Sequence, residues 1–473
     1  MFPRALSAAT PSTVEWNPPG PPDTAPLQAV APRIGADPIS LAGLPALVEE
    51  ARSAALSPRS SPSDPTFFSS LRARLSKACA SLPDAYRSAV GEPLLHKLDD
   101  MGPGGFARVL SMDPARTGPA RLLLDLAQAV LQRGEGYQAR ATAAFQEVVG
   151  DLYDGFLSAE DRRGVRPPDH GVTPPLVRWG EAESGPYTWP ADAAETFGVK
   201  AAVVSLPAAN ATEGLLAWPA LAHETAGHDI LAADEGLREE LSRAVKRKVL
   251  AKEIDPAVAA YWAERVDEAA ADVLGVLNMG PAAAVGMVGY FRALNGAWRG
   301  VPELRSAGRE EDPHPADIAR AYLAAETVRL LSFEGAAQWA DRLVAEADRD
   351  LGTVRLGDVT VPAGVARASA AAVAQAIVRT RVRSLEGHSL GEIQDWTDRD
   401  EAIVATLRGE MKGSGANAGA PGKYATGTYA AHAVAAAVYE AVAGGSSPAR
   451  VMDRMVGVLA AMHDRNPDWK VSA

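Results

Sequence analysis

The residues that point to chemistry lie in one short segment, LAHETAGHDI, which holds His223, Glu224, Gly227 and His228. Two imidazoles with a carboxylate directly after the first form a variant of the helical zinc-hydrolase pattern. In that pattern the histidines stand at i and i+4 on one face and the glutamate is a general base. Here the second histidine is at i+5. On a helix of 3.6 residues per turn, five steps rotate about 500°, so the two side chains point about 140° apart. Sharing a metal ion therefore requires a locally widened turn. A one-residue π-bulge supplies it, and such bulges concentrate at functional sites. Gly227 lends backbone freedom inside the motif.

Forty residues on comes WAERVDEAAADVLGVL, in which Glu268 and Asp272 stand at i and i+4 on one helix face. Asp267 and Glu264 nearby suit a solvated acidic surface. The apolar run after Asp272 suits burial, and a buried carboxylate needs a partner. The order H-E-x-x-x-H, then E-x-x-x-D, resembles the gluzincin branch of zinc metallopeptidases. The expanded motif, with glycine before the second histidine, is particularly similar to the dipeptidyl peptidase III family, which carries H-E-x-x-G-H and then E-E-x-x-A-[ED]. The second block here reads Asp267-Glu268-Ala269-Ala270-Ala271-Asp272, with aspartate in place of the first glutamate. The resemblance covers residues 223–272 of a chain much shorter than those enzymes. It implies His223, His228 and Glu268 as ligands of one Zn2+, Asp272 as the hydrogen-bond acceptor that orients a ligand imidazole, and Glu224 as general base.

Three protein ligands leave a fourth position open, and Glu224 would take a proton from the attacking water and pass it to the leaving amine. The expected activity is hydrolysis of a peptide or amide bond, in a peptide or protein substrate. A further donor should hold the developing oxyanion. The candidates are His314, the pair Tyr429 and His432, and Tyr290, Tyr322 and Tyr424. His314 sits in REEDPHPADIARAYL, where Arg320 offers a partner for an acid near the zinc helices; an ordinary helix start at Pro315 explains the same residues. His96, His170, His388 and His463 have no ligand-spaced partner and read as structural. Two other classes remain open. One is a non-peptidase metalloenzyme, such as an iron-dependent oxidoreductase. The other is a helical binding protein with a structural metal, although closed zinc sites favour cysteine and the chain has only Cys79.

The elements that must position these residues are mostly helical. The expected fold is mainly α (α+β): a helical zincin-like metallopeptidase core with a small β element and additional helical regions. Residues 1–40 form a Pro-rich segment, 41–160 a helical N-terminal region, 161–350 the metal-binding catalytic region and 351–473 a helical C-terminal region. Gly and Pro at 102–105 interrupt one helical run. GVKAAVVSLP reads as a buried strand, with strand addition of a peptide at the cleft as a second reading. One helix is expected over 316–349 and a small hairpin over 353–364. The net charge of −12 argues against nucleic acid as a partner. The chain contains no run of 18 apolar residues, so no membrane span is expected. With no apolar leader at the start, a cytoplasmic location is the default expectation.

Overall fold

The computed structural model describes residues 40–157, 162, 164–170, 173–308, 312–413 and 427–469. The Pro-rich lead-in and Tyr424 lie outside the described residues. Helices dominate, as the Ala-, Leu- and Arg-rich composition favours. No described helix is long and apolar enough to cross a membrane.

At the centre stands the helix Val266–Met279, termed the carboxylate helix. Of its residues only Asp267 escapes burial. A helix apolar on nearly all sides belongs in an interior, and packed helices cover this one. They are the segment 220–233 (the ligand helix), Pro281–Arg299 (the cleft helix) and Asp317–Val328 (the arginine helix).

Beside this helical core lies a three-stranded sheet of order β1-β3-β2, with β1 Leu176–Gly180, β2 Tyr187–Trp189 and β3 Val203–Pro207. β3 pairs parallel with β1 (Leu176 opposite Val203) and antiparallel with β2 (Thr188 opposite Val204). Every residue of β1 and β3 is buried, which explains why Val203, Val204 and Leu206 form a continuous rather than alternating apolar run. Since β3 is paired on both sides, it has no free edge. The strand-addition reading of GVKAAVVSLP therefore fails, and the strand nearest the site is β2. The outer edge of β1 is closed by a side chain: Gln132 donates to the Trp179 carbonyl (2.9 Å) and accepts from its amide (2.7 Å). That pairing removes an exposed ladder edge.

The 102–105 interruption is a kink inside Glu92–Met112, where Gly102 takes φ 60°, ψ −179°. The expected hairpin is β4 Val354–Leu356 with β5 Val359–Val361. The single helix expected over 316–349 is two: the arginine helix and Ala336–Ala347. Gly335, at φ 99°, precedes the second, a conformation that L side chains rarely adopt.

Candidate metal centre

The ligand helix is α-helical over Ala220–His223, π-helical over Glu224–Asp229 and α-helical again over Ile230–Ala233. The widened turn carries His223 and His228 to one face. Their rings meet edge to face with centroids 4.8 Å apart, and the two Nε2 atoms are 3.1 Å apart. Gly227 serves the turn by its small size, not by its backbone angles, since its φ is not positive. A Cβ there would sit 2.6 Å from the Ala271 Cα and closer still to the Ala271 Cβ. The π-turn is therefore pressed closely onto the carboxylate helix at Ala271, one turn beyond Glu268.

Glu268 Oε2 lies 3.4 Å from His223 Nε2, and Oε1 lies 3.5 Å from His228 Nε2. One donor atom from each of the three residues falls within 4.8 Å of the others. Four-coordinate zinc with bonds of about 2.0–2.1 Å separates its donors by about 3.3 Å. The two Nε2 atoms, 3.1 Å apart, match that spacing, and a different oxygen of Glu268 faces each imidazole, Oε2 at 3.4 Å and Oε1 at 3.5 Å. Glu268 Oε2 is also buried and accepts no hydrogen bond, with the Arg320 guanidinium 3.5 Å away as its charged neighbour.

Each imidazole is held from behind. His223 Nδ1 lies 2.8 Å from Asp272 Oδ1, and Asp272 is fully buried. Asp272 also takes both arms of Arg320, from Nε at 2.8 Å and from a terminal nitrogen at 2.7 Å. Arg320 lies over the face of Phe291 at 4.7 Å. His228 Nδ1 lies 3.3 Å from Asp267 Oδ2, and Asp267 in turn meets Arg238 at 2.8 Å. With both Nδ1 atoms committed to carboxylates, both Nε2 atoms turn toward Glu268, the second-sphere arrangement typical of metal-ligating histidines.

The electrostatics favour a positive charge at the centre. Burial opposes charge on His223, but Asp272 and Glu268 outweigh it and raise the imidazole to about 10. Burial likewise opposes ionisation of Glu268, and His223, Arg320 and His228 together hold it well below the usual carboxylate range. Asp272 is pushed up by burial and pulled below its ordinary value by the charge of Arg320 and by His223.

Glu224 is buried on the same turn and lines the same cavity as His223, a space of about 330 Å³. Its carboxylate accepts from the Thr188 hydroxyl (2.9 Å), whose oxygen also lies 3.0 Å from the Glu224 carbonyl. Thr188 thus fixes the carboxylate from β2. Tyr290, on the cleft helix, lines the cavity with its phenol pushed upward by burial and then by the Glu224 charge. His314 lines the cavity too. Its Nε2 lies 3.4 Å from Glu268 Oε1, and its Nδ1 lies 2.9 Å from Asp312, which Arg305 holds at 3.2 Å.

No family model, curated protein or solved structure matches this chain. Its chemistry must therefore be read from the geometry.

The structure brings His223, Glu224, His228, Glu268, Asp272, His314 and Arg320 together. It does not bring Tyr429 and His432 to them. That pair lines a separate cavity of about 60 Å³ with Asp151, Trp396 and Asp400. His432 Nδ1 accepts from the Tyr429 amide (2.9 Å) and its Nε2 lies 2.9 Å from Asp400, so the i,i+3 spacing serves a helix cap. Asn278 lines this cavity as well. It is ten residues beyond Glu268 on the carboxylate helix, about 15 Å along its axis. Tyr322 donates to Asp348 (2.6 Å) and does not line the metal cavity. The four remaining histidines have other partners: His96 with Asp100, His170 with Glu195 and Glu235, His388 with the Leu385 carbonyl, and His463 with Glu147. Sequence reasoning missed Thr188, which carries no local signal, and the role of Asp267. The latter was foreshadowed by its place directly before Glu268.

Proposed function

We propose that this chain holds one zinc ion through His223, His228 and Glu268 and hydrolyses a peptide or amide bond, with Glu224 as general base. The observation that carries this reading is that donor atoms of His223, His228 and Glu268 lie within 4.8 Å of one another, beside a cavity that His223 and Glu224 line. The similarity of residues 223–272 to the gluzincins, and to the dipeptidyl peptidase III family in particular, supports it. Bound zinc supplies Lewis acidity, polarising a carbonyl and lowering the pKa of water.

The protein's own groups do the rest. Glu224 accepts a proton as water adds its oxygen to the carbonyl carbon, and returns that proton to the nitrogen as the C–N bond breaks. Thr188 keeps the Glu224 carboxylate in one orientation. Asp272, backed by Arg320, keeps His223 in the tautomer whose Nε2 lone pair faces the centre. His314, fixed by Asp312, stands beside Glu268 as a donor for the developing negative oxygen.

Two imidazoles and one carboxylate also form the donor set of non-haem iron oxygenases, which makes an iron-dependent oxidoreductase the second reading. Metal content and one variant separate them. The purified protein is expected to carry about one zinc per chain. Glu224→Gln should retain that zinc and lose about 10²- to 10⁴-fold in hydrolysis of a peptide library. Iron in place of zinc supports the second reading, and loss of metal in Glu224→Gln assigns Glu224 to ligation or folding instead.

A further inference from the structure

The walls of the metal cavity carry three arginines. Arg320 is neutralised by Asp272. Arg305 is neutralised by Asp317 (2.7 Å) and Asp312 (3.2 Å). Arg299 is different. Among the described residues no carboxylate lies within ion-pairing distance of it, and its polar contact is the Asn295 side-chain oxygen at 3.5 Å. It closes the last turn of the cleft helix, whose Met287, Phe291 and Leu294 line the cavity between the metal cluster and this charge. A cavity with ligating and basic groups at one end, an apolar wall, and at the other a guanidinium that no described carboxylate pairs suits an apolar chain that ends in an anion.

The spacing sizes that chain. Tyr290, which lines the cavity with Glu224, and Arg299 are nine residues apart, about 13 Å along the helix. Both side chains lean toward the helix N-terminus, so the gap between their tips stays at about 13 Å. An extended peptide advances about 3.3 Å per residue. About four residues therefore separate the bond beside Glu224 from an anion at Arg299. We propose that Arg299 anchors the C-terminal carboxylate of a peptide with apolar terminal side chains, so that the enzyme releases short C-terminal peptides of about four residues. The size of the released piece rests on the hydrolase reading; the anchor itself does not.

The test uses the full chain in the Glu224→Gln background and measures binding by calorimetry. The probe is an apolar hexapeptide ending in Phe-Leu, made once with a free carboxylate and once as the carboxamide. A charge-assisted pair predicts that the free acid binds about ten- to a hundred-fold more tightly. Arg299→Gln should erase that difference and Arg299→Lys should keep part of it. Arg299 is exposed at a helix end, so both variants should melt as the parent does. Equal affinity for acid and amide, a preference that survives Arg299→Gln, or no binding of either peptide overturns the proposal. In a second arm the zinc-loaded wild-type protein cleaves the same peptides and mass spectrometry reads the products. Internal cleavage indifferent to the terminus sinks the anchor but leaves the hydrolase reading intact. Acid-selective, Arg299-dependent binding without cleavage sinks the hydrolase reading and leaves the anchor standing.

Discussion

Replacing Asp272 by asparagine keeps the shape of the side chain and removes its charge from a fully buried position. Two effects follow from different contacts and can be read separately. The first concerns His223. Its Nδ1 faces Asp272 at 2.8 Å, and an amide is a weaker acceptor that can also present its NH2 to the ring. Loss of such an outer partner costs about 10- to 100-fold in metal affinity. The second concerns Arg320, which is 5% exposed and makes both of its short contacts to Asp272. Removing one member of a buried ion pair costs about 3–5 kcal/mol. Arg320 keeps Glu268 at 3.5 Å and the Phe291 ring, so the lower end of that range, about 3 kcal/mol, is expected. Zinc affinity would be measured by competition with a chromogenic chelator, and stability by urea unfolding of the metal-free protein. An affinity within about threefold of the parent would refute the role given to the His223–Asp272 contact. Unchanged stability of the metal-free protein would refute the buried pair.

Two further perturbations test the packing and the charge. Gly227→Ala places a methyl against Ala271 and must part the π-turn from the carboxylate helix, at about 1–3 kcal/mol. Zinc affinity should fall with it, because Glu268 lies one turn from Ala271, and a variant with both quantities unchanged contradicts the close-approach account. Glu147 is raised to about 7 by burial, and Asp151 beside it to about 7 by burial and by the Glu147 charge. The fold therefore holds protons that the unfolded chain releases near pH 4, so these groups contribute stability at low pH that is lost as pH rises through 7. His463, held down to about 4 by burial, has the opposite sign, since its neutral form is favoured. Glu147→Gln isolates one group: it should stabilise the protein by about 1–3 kcal/mol at pH 8 and have little effect at pH 4.5. Urea midpoints at the two pH values decide it, and an equal shift at both rules the assignment out.

The clustering of His223 and His228 was legible because their spacing makes sense only on a helix that departs from 3.6 residues per turn, and the structure contains that departure. Asp272 was legible because a carboxylate entering VLGVL must find a partner. Other residues were ambiguous for definite reasons. Tyr429 and His432 follow a Gly-rich segment at i,i+3, a spacing that serves a cap as well as a site, and here it serves the cap. The break in the helix expected over 316–349 hinges on Gly335, whose positive φ the local pattern SFEG does not announce. Thr188 reaches Glu224 from a three-residue strand 36 positions earlier, and no local periodicity encodes such a contact. The mainly α fold, with its small sheet, followed from composition and periodicity, whereas the order β1-β3-β2 depended on pairings between distant segments.

The widened turn also bears on how this segment can change. Dropping one residue between His223 and His228 would restore the ordinary four-step interval, and the imidazoles alone would tolerate it. Everything downstream would keep its facing, because the wide turn already absorbs the extra residue. Ile230 and Leu231, now sealed in the interior, would stay turned toward it. The extra residue is thus felt only at the turn itself, where Gly227 meets Ala271.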